Sequence, residues 1–153
     1  MIGNTEIEIV RMQREHLDAV LEIAEKNNLS YWSREAYESE ITSGHSRCLV
    51  ARLKEKIIGF IVARLIMNEN YAEIYNIAVE EKFKNNGVGK ILLSDVVKHC
   101  VINNLERINL EVRESNHTAV RFYLKNNFES IGLRKNFYTR PSENAITMIK
   151  FLN

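Results

Sequence analysis

The sequence predicts a mixed α/β (α+β) domain that opens with antiparallel strands, and three observations predict it. Polar and apolar residues alternate in EIEIV and again in INLEV, the period of a half-buried strand. Two β-rich runs, RCLVARL and IIGFIVARLIM, are separated by little more than the charged turn KEK, which is the spacing of an antiparallel hairpin. Other stretches place apolar residues at helical spacing, as at Leu17, Val20, Leu21 and Ala24.

Each element follows in order. EIEIVRM sets Ile7 and Ile9 against Glu6 and Glu8, a first strand. Arg14 to Asn27 is an amphipathic helix. Ser33 is a good N-cap for a second helix through SREAYESEI, expected to end at Gly44. The hairpin comes next, then a strand through YAEIYNIAV. The stretch EKFKNNGVGKILL leads into a long helix through Leu93, Val96, Val97 and Cys100. INLEVRE is a strand with Ile108, Leu110 and Val112 on one face. HTAVRFYLKNN is a short helix, and FESIGLR and ENAITMIKF are two closing strands, with Pro141 in the loop before the last. Repeats, low-complexity segments and linkers are absent, so residues 1–153 are expected to form one domain.

Composition excludes several classes of function. With 27% charged residues and a net charge of +1, the chain lacks the basic footprint of a nucleic-acid-binding protein. Cys48 and Cys100 lie in apolar settings without CxxC spacing, so neither a disulfide scaffold nor a zinc site is expected. MIGNTEIEIVR is acidic and alternating, unlike a signal peptide. IIGFIVA is followed at once by Arg64, and a membrane span needs about 20 apolar residues. A reduced, cytoplasmic protein without membrane contact is expected.

Gly87 and Gly89 open the long helix, and three phosphate-loop patterns compete for them. In GxxxxGK[ST], Gly89-Lys90 supplies the GK pair, but Ile91 replaces Ser/Thr and Lys84 occupies the first glycine position. In GxGxxG, Leu92 occupies the third glycine position and no βαβ repeat follows. The third pattern, [R/Q]xxGxG/A between a strand and a helix, fits, with Lys84 in place of Arg or Gln; lysine keeps the charge and loses the planar fork. On GxG alone the loop reads as a surface turn that caps a helix. The pattern resembles the pyrophosphate loop of the GCN5-related N-acetyltransferases. A helix N-terminus offers unpaired N–H groups and partial positive charge, and glycines let the backbone wrap a phosphate closely.

LEVRESNHTAVRFYLKNNFESIGLR is similar to the LEVRxSNxxAxxxYxxxGF segment of the bacterial ribosomal-protein-alanine N-acetyltransferases, the RimI type. Leu110, Glu111, Val112, Arg113, Ser115, Asn116, Ala119, Tyr123 and Phe128 match, and Asn127 replaces glycine. RKNFYTRPSENAITM resembles that family's RxxYYxxxxEDAxxM through Arg134, Tyr138, Glu143, Ala145 and Met148, with Phe137 and Asn144 departing. YWSREAYESEI is similar to its xPWSxxxFxxEL, so the resemblance covers nearly the whole chain.

The resemblance implies a mostly antiparallel mixed sheet of about seven strands with about four helices on both faces. It implies acetyl transfer from acetyl-coenzyme A, without a metal, to the N-terminal amine of a protein, a ribosomal protein beginning with Ala. A small-amine acetyltransferase, other protein N-termini and a coenzyme-binding sensor without turnover are the alternatives. A monomer or weak dimer is expected. The cofactor contacts implied are Asn85, Asn86, Gly87, Val88, Gly89 and Lys90, the strand end Ile77, Ala78 and Val79 through backbone groups, and Asn116 and Tyr123. An α-amino group has a pKa of about 7.7–8.0 and must lose a proton to attack. Glu111 is implied as the general base and Tyr123 as the general acid. On pattern alone, Glu111 reads as a solvated glutamate beside Asn109 and Arg113, Tyr123 as a core tyrosine, and Asn116 as a helix N-cap; the resemblance is what assigns them their roles. Trp32, Tyr138 and Glu143 fall in segments that resemble the acceptor side. His99 and Cys100 are neighbours on a helix and do not face each other, and nothing orients His45 and Cys48, so direct transfer without an acyl-enzyme is expected.

Overall fold

The computed structural model describes residues 6–27, 29 and 31–152; residues 1–5, on which part of the signal-peptide expectation rests, lie outside them. The strands are β1 (Ile7–Arg11), β2 (Ser46–Leu53), β3 (Lys56–Ile66), β4 (Tyr71–Val79), β5 (Arg107–Arg113), β6 (Glu129–Thr139) and β7 (Ser142–Phe151). They form one sheet in the order β1-β2-β3-β4-β5-β7-β6. Every pair is antiparallel except β4 and β5. The helices are α1 (Leu17–Lys26), α2 (Arg34–Thr42), α3 (Val88–Ile102) and α4 (His117–Lys125). α3 is the crossover that a parallel pair requires.

Local chemistry explains most boundaries. Ser33 Oγ accepts from the Ala36 N–H at 3.1 Å and starts α2. Asn116 Oδ1 accepts from the Ala119 N–H at 3.1 Å and starts α4. Asn127, just past α4, has φ 69°, the left-handed conformation expected where the family has glycine. Three expectations need correction. The first helix begins at Leu17, after a 3-10 turn at Arg14–His16. α2 ends at Thr42 with Ser43 extended, rather than at Gly44. β6 runs on past Arg134 to Thr139, because its ladder with β7 absorbs a register shift between Arg134 and Tyr138.

The sheet separates two cores. On one face α3 and α4 pack over Leu49, Ile61, Ile74, Leu110 and Met148. On the other, α1 and α2 pack over Val50, Phe60, Val62 and Ala78, and that core contains no residue of β5, β6 or β7. Gly59 sets the approach of α3: a Cβ there would lie 3.1 Å from the Ala78 carbonyl oxygen and 3.2 Å from Val88 Cγ1. Among the described residues no helix is long and apolar enough to cross a membrane.

β4 and β5 pair only from Tyr71↔Arg107 to Ile74↔Leu110. Tyr75 is then an extra residue against β3, since Ile74 faces Ala63 and Asn76 faces Val62. This bulge bends β4. Beyond it β4 stays with β3 and β5 stays with β7, and a wedge opens between them.

Candidate active site

The wedge has a main-chain wall. The Glu80 N–H donates to the Ile58 carbonyl at 2.8 Å, so residues 78 and 80 spend their backbone groups on β3. Ile77 and Val79 turn theirs the other way, into the gap. The expected triplet therefore narrows to these two, because Ala78 exchanges its groups with Phe60. The Val79 carbonyl also accepts from Asn27 Nδ2, reaching across from the end of α1 at 3.2 Å.

At the mouth of the wedge lies the glycine loop. Asn85 (φ 65°) and Gly87 (φ 82°) are left-handed, and Asn86 Nδ2 braces the loop on the carbonyls of Phe83 and Lys84 at 3.3 and 3.0 Å. The first helical bond of α3 runs from the Ile91 N–H to Gly87 at 3.0 Å. The N–H groups of Val88, Gly89 and Lys90 are therefore left without backbone acceptors among the described residues. Alternating left-handed turns before a helix N-terminus make an anion cradle. A Cβ on Gly89 would sit 3.3 Å from Phe122 of α4 and 3.9 Å from Val79 Cγ2, so loop, β4 and α4 meet here. Lys84 Nζ lies 3.4 Å from Glu81. Asn116 spends Oδ1 on its cap, while its Nδ2 has no acceptor among the described residues.

Glu111 and its polar neighbours gather where β5 meets β7 and β6. Glu111 lies opposite its core neighbours Leu110 and Val112, as the alternation requires. Thr147 Oγ1 donates to Glu111 Oε2 at 2.6 Å, and Arg134 lies 3.8 Å from Oε1. Arg113 lies 4.3 Å from the Tyr138 ring centroid and 3.3 Å from Glu143. Glu143 also accepts from the Ser115 N–H at 2.6 Å, so its carboxylate holds the turn after β5. Hydrogen bonding from Ser115 first, and then Arg113, holds that carboxyl below its usual range. Burial pushes the Tyr138 phenol up to about 12, with Arg113 pulling it down and Glu111 and Glu143 adding to the rise.

Tyr123 is 5% exposed, edge-on to Phe122 and Phe128. Leu124, the next residue of α4, is exposed. Burial, and then neighbouring Tyr138, raises the Tyr123 phenol far above its ordinary value. Trp32 stands apart, over Tyr37 and Tyr75 with ring centroids 5.2 and 5.6 Å away, and Tyr75 links it to the rest of the face. Burial pushes Cys48 up to about 12 and Cys100 up to about 11, so neither carries thiolate near neutrality. Asn27, Thr147 and Glu73 went unnoticed in the sequence. Alternation marks Glu73 as facing away from the core, but only the strand pairing reveals what it faces.

The profile of the Acetyltransferase (GNAT) family matches residues 17–128. The ribosomal protein bS18-alanine N-acetyltransferase of Haemophilus influenzae is 37% identical over 101 residues, 63% of this chain and 66% of its own. The Escherichia coli K12 protein of the same name is 27% identical over 144 residues, 92% of this chain and 94% of its own. The crystal structure of the Escherichia coli ribosomal-protein-S18-alanine N-acetyltransferase matches with TM-score 0.85 at 23% identity, covering 96% of this chain and 94% of that one. Arabidopsis thaliana NAA60 in complex with acetyl-CoA matches with TM-score 0.85 at 20% identity, covering 96% and 99%. Both structural likenesses concern the fold.

Proposed function

The chain belongs to the acetyltransferase (GNAT) family, and from that premise we propose that it acetylates the N-terminal α-amino group of a protein, a ribosomal protein that begins with alanine. One observation carries the reading: a main-chain-lined wedge runs from an anion cradle at residues 85–90 to Glu111. The relatives named for bS18-alanine acetylation support the choice of acceptor.

The cradle fits the pyrophosphate of acetyl-coenzyme A, which supplies an activated thioester when bound. Asn85 to Lys90 would hold that end, and Ile77, Val79 and the free Nδ2 of Asn116 would hold the amide-bearing arm. Glu111 takes a proton from the acceptor's ammonium, directly or through water, leaving the nitrogen lone pair free to attack. Tyr123 gives its hydroxyl proton to the departing sulfur as general acid. With neither cysteine present as thiolate, the acetyl group passes to the amine without an acyl-enzyme. Trp32 and Tyr138 flank the route of the acceptor.

The test sets peptides bearing ribosomal-protein N-termini against small amines, with acetyl-coenzyme A and mass-spectrometric detection. Acetylation confined to the α-amine of Ala-first peptides is expected. Preference for a polyamine or another small amine overturns the acceptor, and coenzyme binding without acetylation of either panel overturns the enzyme reading.

A further inference from the structure

Three of the four α-helices end on asparagine: Asn27 after α1, Asn103 after α3 and Asn126 after α4. Their backbones are alike, with φ −99°, −88° and −101°. Each turns its Nδ2 back to the carbonyl four residues earlier, of Ile23, His99 and Phe122, at 2.8 Å. Such a bond adds a donor at a helix end, where carbonyls run short of partners. Nδ2 carries two hydrogens. Among the described residues Asn27 alone of the three uses both: its Nδ2 also reaches the Val79 carbonyl at 3.2 Å, across 52 residues of chain. The cap does not require that second bond, since Asn103 and Asn126 cap without one.

The Val79 carbonyl shares a planar peptide with the Glu80 N–H, which points the opposite way and donates to the Ile58 carbonyl at 2.8 Å. This peptide is therefore pinned at both ends, to β3 on one side and to α1 on the other. The Glu80 carboxylate adds a third hold, 3.0 Å from Lys56 Nζ. The post that carries Asn27 is firm, because Leu17, Val20 and Ile23 of α1 are buried in the covered core. Beyond Glu80 the chain enters the 3-10 turn Glu81–Phe83 and then the glycine loop. The pinned peptide is thus the joint between the main-chain wall and the anion cradle. Ala78, just before it, is held by Phe60, so the Val79 N–H is aimed into the gap from both sides.

We propose that Asn27 is a positioning residue for coenzyme binding. It acts through the Val79 carbonyl, and so fixes the direction of the Val79 N–H and the point where the cradle begins. This rests on the reading of the wedge as the acetyl-coenzyme A site. Groups held in place before the ligand arrives spare binding the cost of ordering them. The effect belongs to binding rather than to the chemical step, because Asn27 acts on the wall that receives the amide-bearing arm and not on the reacting groups.

The experiment compares wild type, Asn27→Ala and Asn27→Asp with the matched caps Asn103→Ala and Asn103→Asp, and with Gly87→Val. It reads the dissociation constant of acetyl-coenzyme A by calorimetry, KM for acetyl-coenzyme A against kcat on the amine that the wild type acetylates, and the melting temperature. Asn27→Ala removes one hydrogen bond to the wall, so affinity should fall about threefold to tenfold, with the loss in KM more than in kcat. Asn27→Asp keeps the shape but sets a carboxylate oxygen against the Val79 carbonyl, and affinity should fall at least about tenfold. The Asn103 variants lose the same kind of cap and should lower the melting temperature while binding coenzyme as wild type does. Wild-type affinity in both Asn27 variants overturns the proposal, as does a loss that falls on kcat alone. An equal loss in the Asn103 variants also overturns it, since that would mean a helix cap only. If Gly87→Val is impaired and the Asn27 variants are not, the positioning role alone fails. If Gly87→Val binds acetyl-coenzyme A as wild type does, the coenzyme reading of the wedge fails and takes the proposal with it.

Discussion

The two halves of the sheet use the same kind of strand and end differently. β2, β3 and β4 are covered on both faces, by α3 on one side and by α1 and α2 on the other. β5 and β7 are covered by α3 and α4 on one side only, the edge strand β6 is exposed along nearly its whole length, and the uncovered face carries Asn109, Glu111, Thr147 and Arg134. A mostly antiparallel sheet tolerates a bare face where a fully parallel one would not. The covered half provides the stability and the main-chain wall. The bare half can host carboxylates and arginines without burying their charge, and the wedge is the seam between them.

Substitutions that strike one half and spare the other test this division. The largest effect should come from Glu111→Gln on the bare half. Turnover should fall by about 10²–10⁴-fold with acetyl-coenzyme A affinity unchanged, measured by steady-state kinetics and calorimetry. Gly87→Val strikes the seam. A β-branched residue at φ 82° carries strain of about 1–2 kcal/mol and fills the cradle. Coenzyme affinity should drop by more than about tenfold, and unchanged binding would remove the loop from the site. Tyr123→Phe should lower turnover by about tenfold with little change in affinity; wild-type turnover would deny the hydroxyl a role.

Gly59→Ala strikes the covered half. Its Cβ meets a backbone oxygen at 3.1 Å, which cannot swing aside. A loss of about 1–3 kcal/mol follows, and with it a fall in melting temperature of roughly 2–4 °C per kcal/mol. The smallest effect has the opposite sign. The Glu73 carboxyl is raised in the fold, so its protonated form adds stability below the unfolded carboxylate pKa. That stability is lost as pH rises through the folded value. Glu73→Gln keeps a neutral side chain there, so its melting temperature should exceed wild type at pH 7 and the gap should close in acid. A lower melting temperature at pH 7 would show that Glu73 stabilises the fold.

Much of this arrangement was legible in the sequence, for local reasons. Ser33 and Asn116 cap their helices because a short polar side chain reaches its own backbone three residues on. Gly87 is left-handed where a glycine was expected to let the backbone turn. Alternation alone set Glu111 against Leu110 and Val112. The end of β6 was not legible, since its pattern breaks at Lys135–Asn136 and only pairing with β7 continues it. Glu143 was expected on the acceptor side, and its bracing of the turn after β5 was not legible, because Arg113 and Ser115 fold back onto it only in the tertiary structure.

What the sequence determined by itself is therefore what acts over one turn or one pleat: helix starts, strand faces and the glycine cradle. What only the tertiary structure decided is which strands part and which side chains meet. The bulge at Tyr75 turns β4 away from β5 and so leaves Ile77 and Val79 facing a gap. The insertion of β7 between β5 and β6 brings Thr147 to Glu111 across 36 residues of chain. The parallel pairing of β4 and β5 brings Glu73 beside that same carboxylate. Such encounters depend on closing long loops and on the register of whole strands, which no short stretch of sequence encodes.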